Sequence, residues 1–104
     1  MKKLPPIHPG EILLEEFMKP LGLSQNALAR DLGVDPRTVN QIVNGKRAIS
    51  AIMALRLARY FRMTPGFWMN LQARHDLETA KDAAEDEIKR TIKPHPMRFG
   101  HAAA

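Results

Sequence analysis

Between Ser24 and Gly45 the chain carries two short amphipathic segments separated by a glycine, and this spacing leaves few folds open. Ser24 is a strong helix N-cap, Gln25 to Leu32 place Leu28 and Leu32 at i, i+4, and Gly33 stands where a left-handed residue ends a helix. Val34 is expected to turn inward. Asp35 then caps a second helix with Pro36 at its first position, where the missing N–H is no loss. Val39, Ile42 and Val43 form its apolar stripe as far as a stop at Gly45. Ala29 and Gly33, four apart, are small enough for a close crossing of the two helices.

At about 100° per residue the stripe of Val39, Ile42 and Val43 leaves Arg37, Gln41 and Asn44 on the opposite side, with Thr38 and Asn40 flanking. That outer face is wholly polar, and its residue types are those that meet base edges in a major groove. Arg binds guanine bidentately, Gln binds adenine bidentately, and Thr offers a hydroxyl or a methyl. An ordinary solvated face would carry Glu and Lys instead. Two such helices around a tight turn are the wiring of a DNA-reading helix-turn-helix, with Arg37, Thr38 and Gln41 as base readers. The competing reading is a helical hairpin with no nucleic-acid role.

Charge supports the first reading. The formal net charge is +5, and it is unevenly placed. No acidic residue lies between Asp35 and Asp76, whereas Arg37, Lys46, Arg47, Arg56, Arg59, Arg62 and Arg74 do. Lys46 and Arg47 follow the second helix directly, where the chain leaving a groove would pass a phosphate strand. Ser24 and Gln25 present a helix N-terminus suited to another phosphate. Asn44 either contacts phosphate or holds the Gly45 turn. From Asp76 to Glu87 the balance inverts, six acidic residues facing only Lys81, so this segment is expected to point away from DNA.

The rest reads as scaffold. Pro9-Gly10-Glu11 opens a first helix with Ile12, Leu13, Phe17 and Leu21 as its stripe, ended by Pro20 and Gly22. Ser50 caps a helix that turns Met53, Ala54, Leu57, Ala58 and Phe61 inward and Arg56 and Arg59 outward. Thr64-Pro65 caps a fifth through Phe67, Trp68 and Leu71. Residues 1–75 are thus expected to form an all-α DNA-binding domain and residues 76–104 an acidic helical extension with a flexible basic tail, in which Met97 and Phe99 are conceivable anchors.

Several chemistries are left without residues to carry them. The 104 residues include no cysteine, which removes disulfides and thiolate zinc sites. His8, His75, His95 and His101 show no i, i+4 pairing, so no metal or other cofactor is expected, and His8 is expected to cap or flank the first helix. Ser24 and Ser50 are explained as caps, and no catalytic pair or phosphate loop stands out, so an enzyme is not expected. No apolar run approaches the ~18 residues that span a bilayer, and Met1 to Pro6 lacks a secretory h-region. The expected compartment is the cytoplasm.

Five blocks, His8-Pro9-Gly10-Glu11-Ile12-Leu13, Leu21-Gly22-Leu23-Ser24-Gln25, Asn44-Gly45-Lys46-Arg47, Ala54-Leu55-Arg56-Leu57-Ala58 and Phe67-Trp68-Met69-Asn70-Leu71-Gln72, together resemble the HigA (VapI-like) antitoxins. These sit within the broader lambda-repressor-like, XRE-type helix-turn-helix proteins. The resemblance spans about residues 8 to 77. It implies a five-helix lambda-repressor-like domain, a homodimer that represses its own toxin–antitoxin operon, and a partner toxin of the RelE-like mRNA endonuclease class. Carried over by position, it implies base reading by Arg37, Thr38 and Gln41 and phosphate contact by Gln25, Lys46 and Arg47. The family usually has Gly at Ala48, Gly or Asn near Arg62, and Tyr at His75, so this chain departs from it there.

Magnitudes also favour two copies. One reading helix offers roughly two or three base contacts of about 1–3 kcal/mol each, which at the low end falls short of the about 3–5 kcal/mol between affinities of about 10⁻⁴–10⁻⁶ M and about 10⁻⁸ M; two half-sites about 34 Å apart make up the difference. Phe67, Trp68 and Leu71 are the expected dimer surface, because a small bundle has little room for every large side chain; alternatively Trp68 completes the monomer core. Two other functions compete. One is a stand-alone regulator with the same DNA chemistry and no toxin; the other is a helical adaptor whose basic face binds an acidic protein or RNA without reading duplex sequence.

Overall fold

The computed structural model describes residues 4–96, which fold into five helices joined by short turns. Helix α1 comprises an α turn at Pro9–Ile12, a π-helical stretch at Leu13–Met18 and a last α turn at Lys19–Leu21. Helix α2 spans Gln25–Leu32, α3 Pro36–Val43, α4 Ala51–Phe61 and α5 Pro65–Thr91. Met97, Phe99 and His101, noted in the tail, lie outside the described residues.

The π-helical stretch follows from Pro20. Its nitrogen carries no hydrogen and its ring crowds the carbonyl four residues back, so the turn before it opens. The Lys19 N–H accordingly reaches back five residues, to the Leu14 carbonyl. Pro20 thus widens α1 without ending it, and the helix stops only at Gly22, whose φ is 64°.

Caps set the other boundaries. The Ser24 hydroxyl accepts from the Ala27 N–H at 3.0 Å, the Asp35 carboxylate from the Arg37 N–H at 2.7 Å, and the Ser50 hydroxyl from the Met53 N–H at 3.1 Å. Each satisfies an N–H that the first turn of a helix leaves over. At the other ends, Gly33 and Gly45 both sit at φ 72°. Beyond them the Val34 N–H returns to the Ala29 carbonyl at 3.0 Å and the Lys46 N–H to the Gln41 carbonyl at 2.8 Å, the six-to-one bond of a Schellman motif. Helix α4 ends the same way at Arg62, a non-glycine residue held at φ 57°. The left-handed region disfavours a residue with a Cβ by about 1–2 kcal/mol, which accounts for the Gly or Asn usual near this position in the family.

Leu13, Met18, Leu28, Ala29, Val39, Ile42, Ile49, Leu57 and Trp68 make the core. Trp68 has no exposed surface and lies 5.1 Å from Phe17 and 5.0 Å from Phe67, ring centre to ring centre. This corrects its assignment to a dimer surface: the indole is enclosed by α1 and the core within a single chain, as the alternative had it. Leu71 packs half-buried against the same core, and Phe67 keeps 38% of its surface exposed.

A second correction concerns the close crossing. Ala29 is enclosed, but Gly33 lies at no helix crossing, and a Cβ there would meet only the tip of Arg56, at 3.3 Å. The tight contact is instead at Gly10, where a Cβ would fall 1.7 Å from the Ile42 carbonyl oxygen. The start of α1 therefore rests directly on the backbone of α3.

Helix α5 runs unbroken through 75 and 76, and its 27 residues extend about 40 Å. Trp68 and Gln72 are buried at its beginning, whereas Leu77 and Ile88 further along are exposed. Among the described residues no helix is long and apolar enough to cross a membrane.

Candidate nucleic-acid interface

Helix α3 buries Val39 and Ile42, and this fixes its rotation. Arg37, Asn40 and Asn44 are exposed as a consequence, and Thr38 and Gln41 are half-buried at the edges of the outer face. Thr38 borders a small cleft of about 190 Å³ shared with Arg47, Ser50 and Arg56. Lys46 and Arg47 stand exposed just past the helix. Arg37, Gln41 and Asn44 thus share the outer face of α3, and hydrogen bonds place Arg47 and Gln25 beside it.

Two side-chain bonds, neither evident from helical periodicity, brace this face. Asn40 donates through Nδ2 to Gln25 Oε1 at 3.0 Å, tying the first residue of α2 to α3. Arg47 donates through Nε to Gln41 Oε1 at 2.8 Å, tying the following loop back to α3. Both fix long side chains that would otherwise lose rotamer freedom on meeting a duplex.

Gln72 is a residue whose role sequence reasoning missed. It is 5% exposed, and its Oε1 accepts from the Ile49 N–H at 2.7 Å while its Nε2 donates to Asp76 at 2.9 Å. The clasp anchors to α5 the segment that carries Lys46 and Arg47. Its sole sequence signal was membership of the Trp-Met-Asn-Leu-Gln block. Arg56 is likewise less free than its outward register implied, because its guanidinium donates to the Leu32 carbonyl at 2.7 Å and so closes the end of α2. Ser24 spends its hydroxyl on its own helix, and what it offers an anion is the N-terminal end of α2.

His8 does cap α1: its Nδ1 accepts from the Gly10 N–H at 2.9 Å. The fold also stacks its ring edge-to-face on His75 at 4.8 Å, a pair far apart in sequence. Among the described residues no group of three His, Cys, Asp or Glu side chains is placed to hold a metal ion. Burial first, then the neighbouring His75, push the His8 pKa below its ordinary value, with Asp76 opposing. The folded state thus prefers neutral His8, whose contribution to stability is complete above about pH 6.5 and is lost as pH falls through the lowered pKa. Protonation also turns the Nδ1 acceptor into a donor facing the Gly10 N–H. The melting temperature is expected to drop more between about pH 7.5 and pH 5.5 in the wild type than in His8→Asn, which caps without titrating. Equal drops in the two proteins would refute this role for His8.

Residues 14–68 match a protein-family model described as helix-turn-helix. Over 79 residues the chain is 51% identical to virulence-associated protein I of Dichelobacter nodosus, covering 76% of this chain and 73% of that protein. Over 72 residues it is 49% identical to an uncharacterized HTH-type transcriptional regulator of Haemophilus influenzae, covering 69% and 67% respectively. The solved structure of the Pseudomonas aeruginosa antitoxin HigA with the higBA promoter superposes with a TM-score of 0.84 at 52% identity, covering 86% of this chain and 97% of that one. With the outer face of α3 polar, the caps in place and these relatives spanning most of its length, the chain belongs to the helix-turn-helix family and, within it, to the HigA (VapI-like) antitoxins, which are DNA-binding proteins and not enzymes.

Proposed function

We propose that this chain is the antitoxin of a type II toxin–antitoxin module, acting in the cytoplasm as a homodimer that represses its own operon and neutralises a RelE-like mRNA endonuclease. The observation that carries the DNA-binding half is the outer face of α3, which presents Arg37 and Gln41 beside Lys46 and Arg47 in a stretch free of acidic residues. Arg37, Thr38 and Gln41 read bases; Ser24, Gln25, Asn44, Lys46 and Arg47 hold phosphates. The P. aeruginosa HigA determined with its promoter supports this assignment by its likeness. The toxin partner rests on the family alone, and the dimer surface on the exposed part of Phe67 with Leu71 beside it. The domain that reads DNA is placed at residues 1–75, and the acidic extension beyond it at residues 76–104.

The roles separate by mutation. Gln41→Ala is expected to relax specificity at one base pair in each half-site, by about 1–3 kcal/mol there, whereas Lys46→Ala weakens binding to all duplexes alike and lowers the slope of log K against log salt by roughly one. Titrating both variants against a base-substitution panel at several salt concentrations distinguishes them, and the opposite pattern would reverse the two assignments. Co-expression with the product of the adjacent gene checks the toxin: a stable complex and rescued growth are expected.

A stand-alone regulator is the second reading, and it is favoured by the likeness to the H. influenzae HTH-type regulator. Operator binding with no toxin gene alongside would select it.

A further inference from the structure

The bond between Arg47 and Gln41 decides which way the reading amide faces. A free glutamine can rotate its terminal amide to offer a donor or an acceptor, and so reads adenine bidentately by using both. Here Gln41 Oε1 is held 2.8 Å from Arg47 Nε. The carbonyl end of the amide lies beside a guanidinium, and the NH₂ end is what remains to lead. Adenine would bring its N6 amino group to an oxygen with one of its two lone pairs already engaged by a cation, leaving a single acceptor site and two donors crowded side by side. Guanine brings two acceptors, N7 and O6, and Gln41 Nε2 can donate to either.

We infer that Arg47 is a positioning residue for base recognition, which holds Gln41 with its amide NH₂ outward so that the base pair beneath it is selected as an acceptor edge, guanine over adenine. This rests on the proposal that Gln41 reads a base. It assigns Arg47 a part beyond phosphate contact. Two features of the site favour it. The Lys46 N–H bonds the Gln41 carbonyl at 2.8 Å, so the chain carrying Arg47 doubles back against the very turn that bears Gln41. The Ile49 N–H, two residues beyond Arg47, is fixed by the buried Gln72 amide at 2.7 Å, which restrains that chain from the other side. Arg47 is thus aimed at Gln41 by backbone held at both ends.

The test uses the full chain and a pool of double-stranded DNA of about 30 base pairs with random sequence, the bound fraction being sequenced for wild type, Gln41→Ala, Arg47→Lys and Arg47→Ala. Arg47→Lys keeps the positive charge but lacks the Nε–H; any affinity it loses through its phosphate contact is common to all sequences, so base preference is read within each variant's own bound pool. At one position per half-site, the wild type is expected to prefer guanine over adenine by about tenfold or more. Arg47→Lys should lose most of that preference or shift it toward adenine, and Gln41→Ala should flatten the same position. Arg47→Ala adds a general loss of affinity.

If Gln41→Ala flattens a position while Arg47→Lys leaves the base preference there intact, Arg47 is a phosphate contact alone and this inference is overturned while the proposed function stands. A wild-type preference for adenine at that position overturns it as well. If Gln41→Ala alters no position, base reading by Gln41 fails and the inference falls with it.

Discussion

Gly10→Ala should cost the protein about 3 kcal/mol or more of stability, an unusually large effect for the addition of one methyl group. A Cβ at position 10 would stand 1.7 Å from the Ile42 carbonyl oxygen, 2.6 Å from its carbon and 3.0 Å from the Val43 Cα. All three are backbone atoms, so no rotamer change relieves the clash; α1 and α3 must separate. The same carbonyl accepts the Gly45 N–H at 3.0 Å, the bond that turns the chain out of α3 toward Lys46. DNA affinity is therefore expected to fall along with the urea midpoint, because any shift at Ile42 moves the reading helix and the loop beyond it together. An unchanged urea midpoint would show that the two helices do not rest on one another here.

Trp68→Ala is expected to destabilise by about 3–5 kcal/mol, the range for emptying an aromatic site in a closed core. The indole makes its case by packing alone, since Trp68 Nε1 is buried and meets no acceptor among the described residues. Trp68→Phe should accordingly retain much of the stability, losing volume but no hydrogen bond. Protein concentration supplies the discriminating measurement. If Trp68 belongs to the core of a single chain, the loss on Trp68→Ala is the same at every concentration. Phe67→Ala, at an exposed edge, should instead lower the melting temperature chiefly where a dimer is populated. A loss for Trp68→Ala that shrinks on dilution would return the indole to a surface between two copies.

How much was legible in the chain depends on sequence separation. The N-caps at Ser24, Asp35 and Ser50 and the stops at Gly33 and Gly45 involve bonds between near neighbours, so local chemistry announces them. The outer face of α3 was legible for the same reason, since burying Val39 and Ile42 leaves Arg37 no other direction. What escaped were pairings across the fold. Gly10 on Ile42, Gln72 on Ile49 and Arg56 on Leu32 join residues more than twenty positions apart, and nothing local marks either partner. Trp68 was misplaced because hydrophobicity alone does not say whether a large ring meets its own chain or another. The pairing of Gln41 with Arg47 spans only six residues, but it crosses a helix end, where a wheel projection no longer applies.

The partition of charge along α5 has an electrical consequence. From Asp35 to Asp76 the chain is uniformly cationic between its two acidic ends, and six of the twelve residues from Asp76 to Glu87 are anionic on a rod that prolongs the bundle. Lys89 and Arg90 return positive charge to the last turn of that helix, so the anionic stretch is flanked on both sides. In the field of a polyanion the long cationic stretch is drawn in and the anionic one held off, so encounters with DNA are expected to be biased toward the cationic side, fast in dilute buffer and slowing as added ions shorten the reach of that field to about 8 Å.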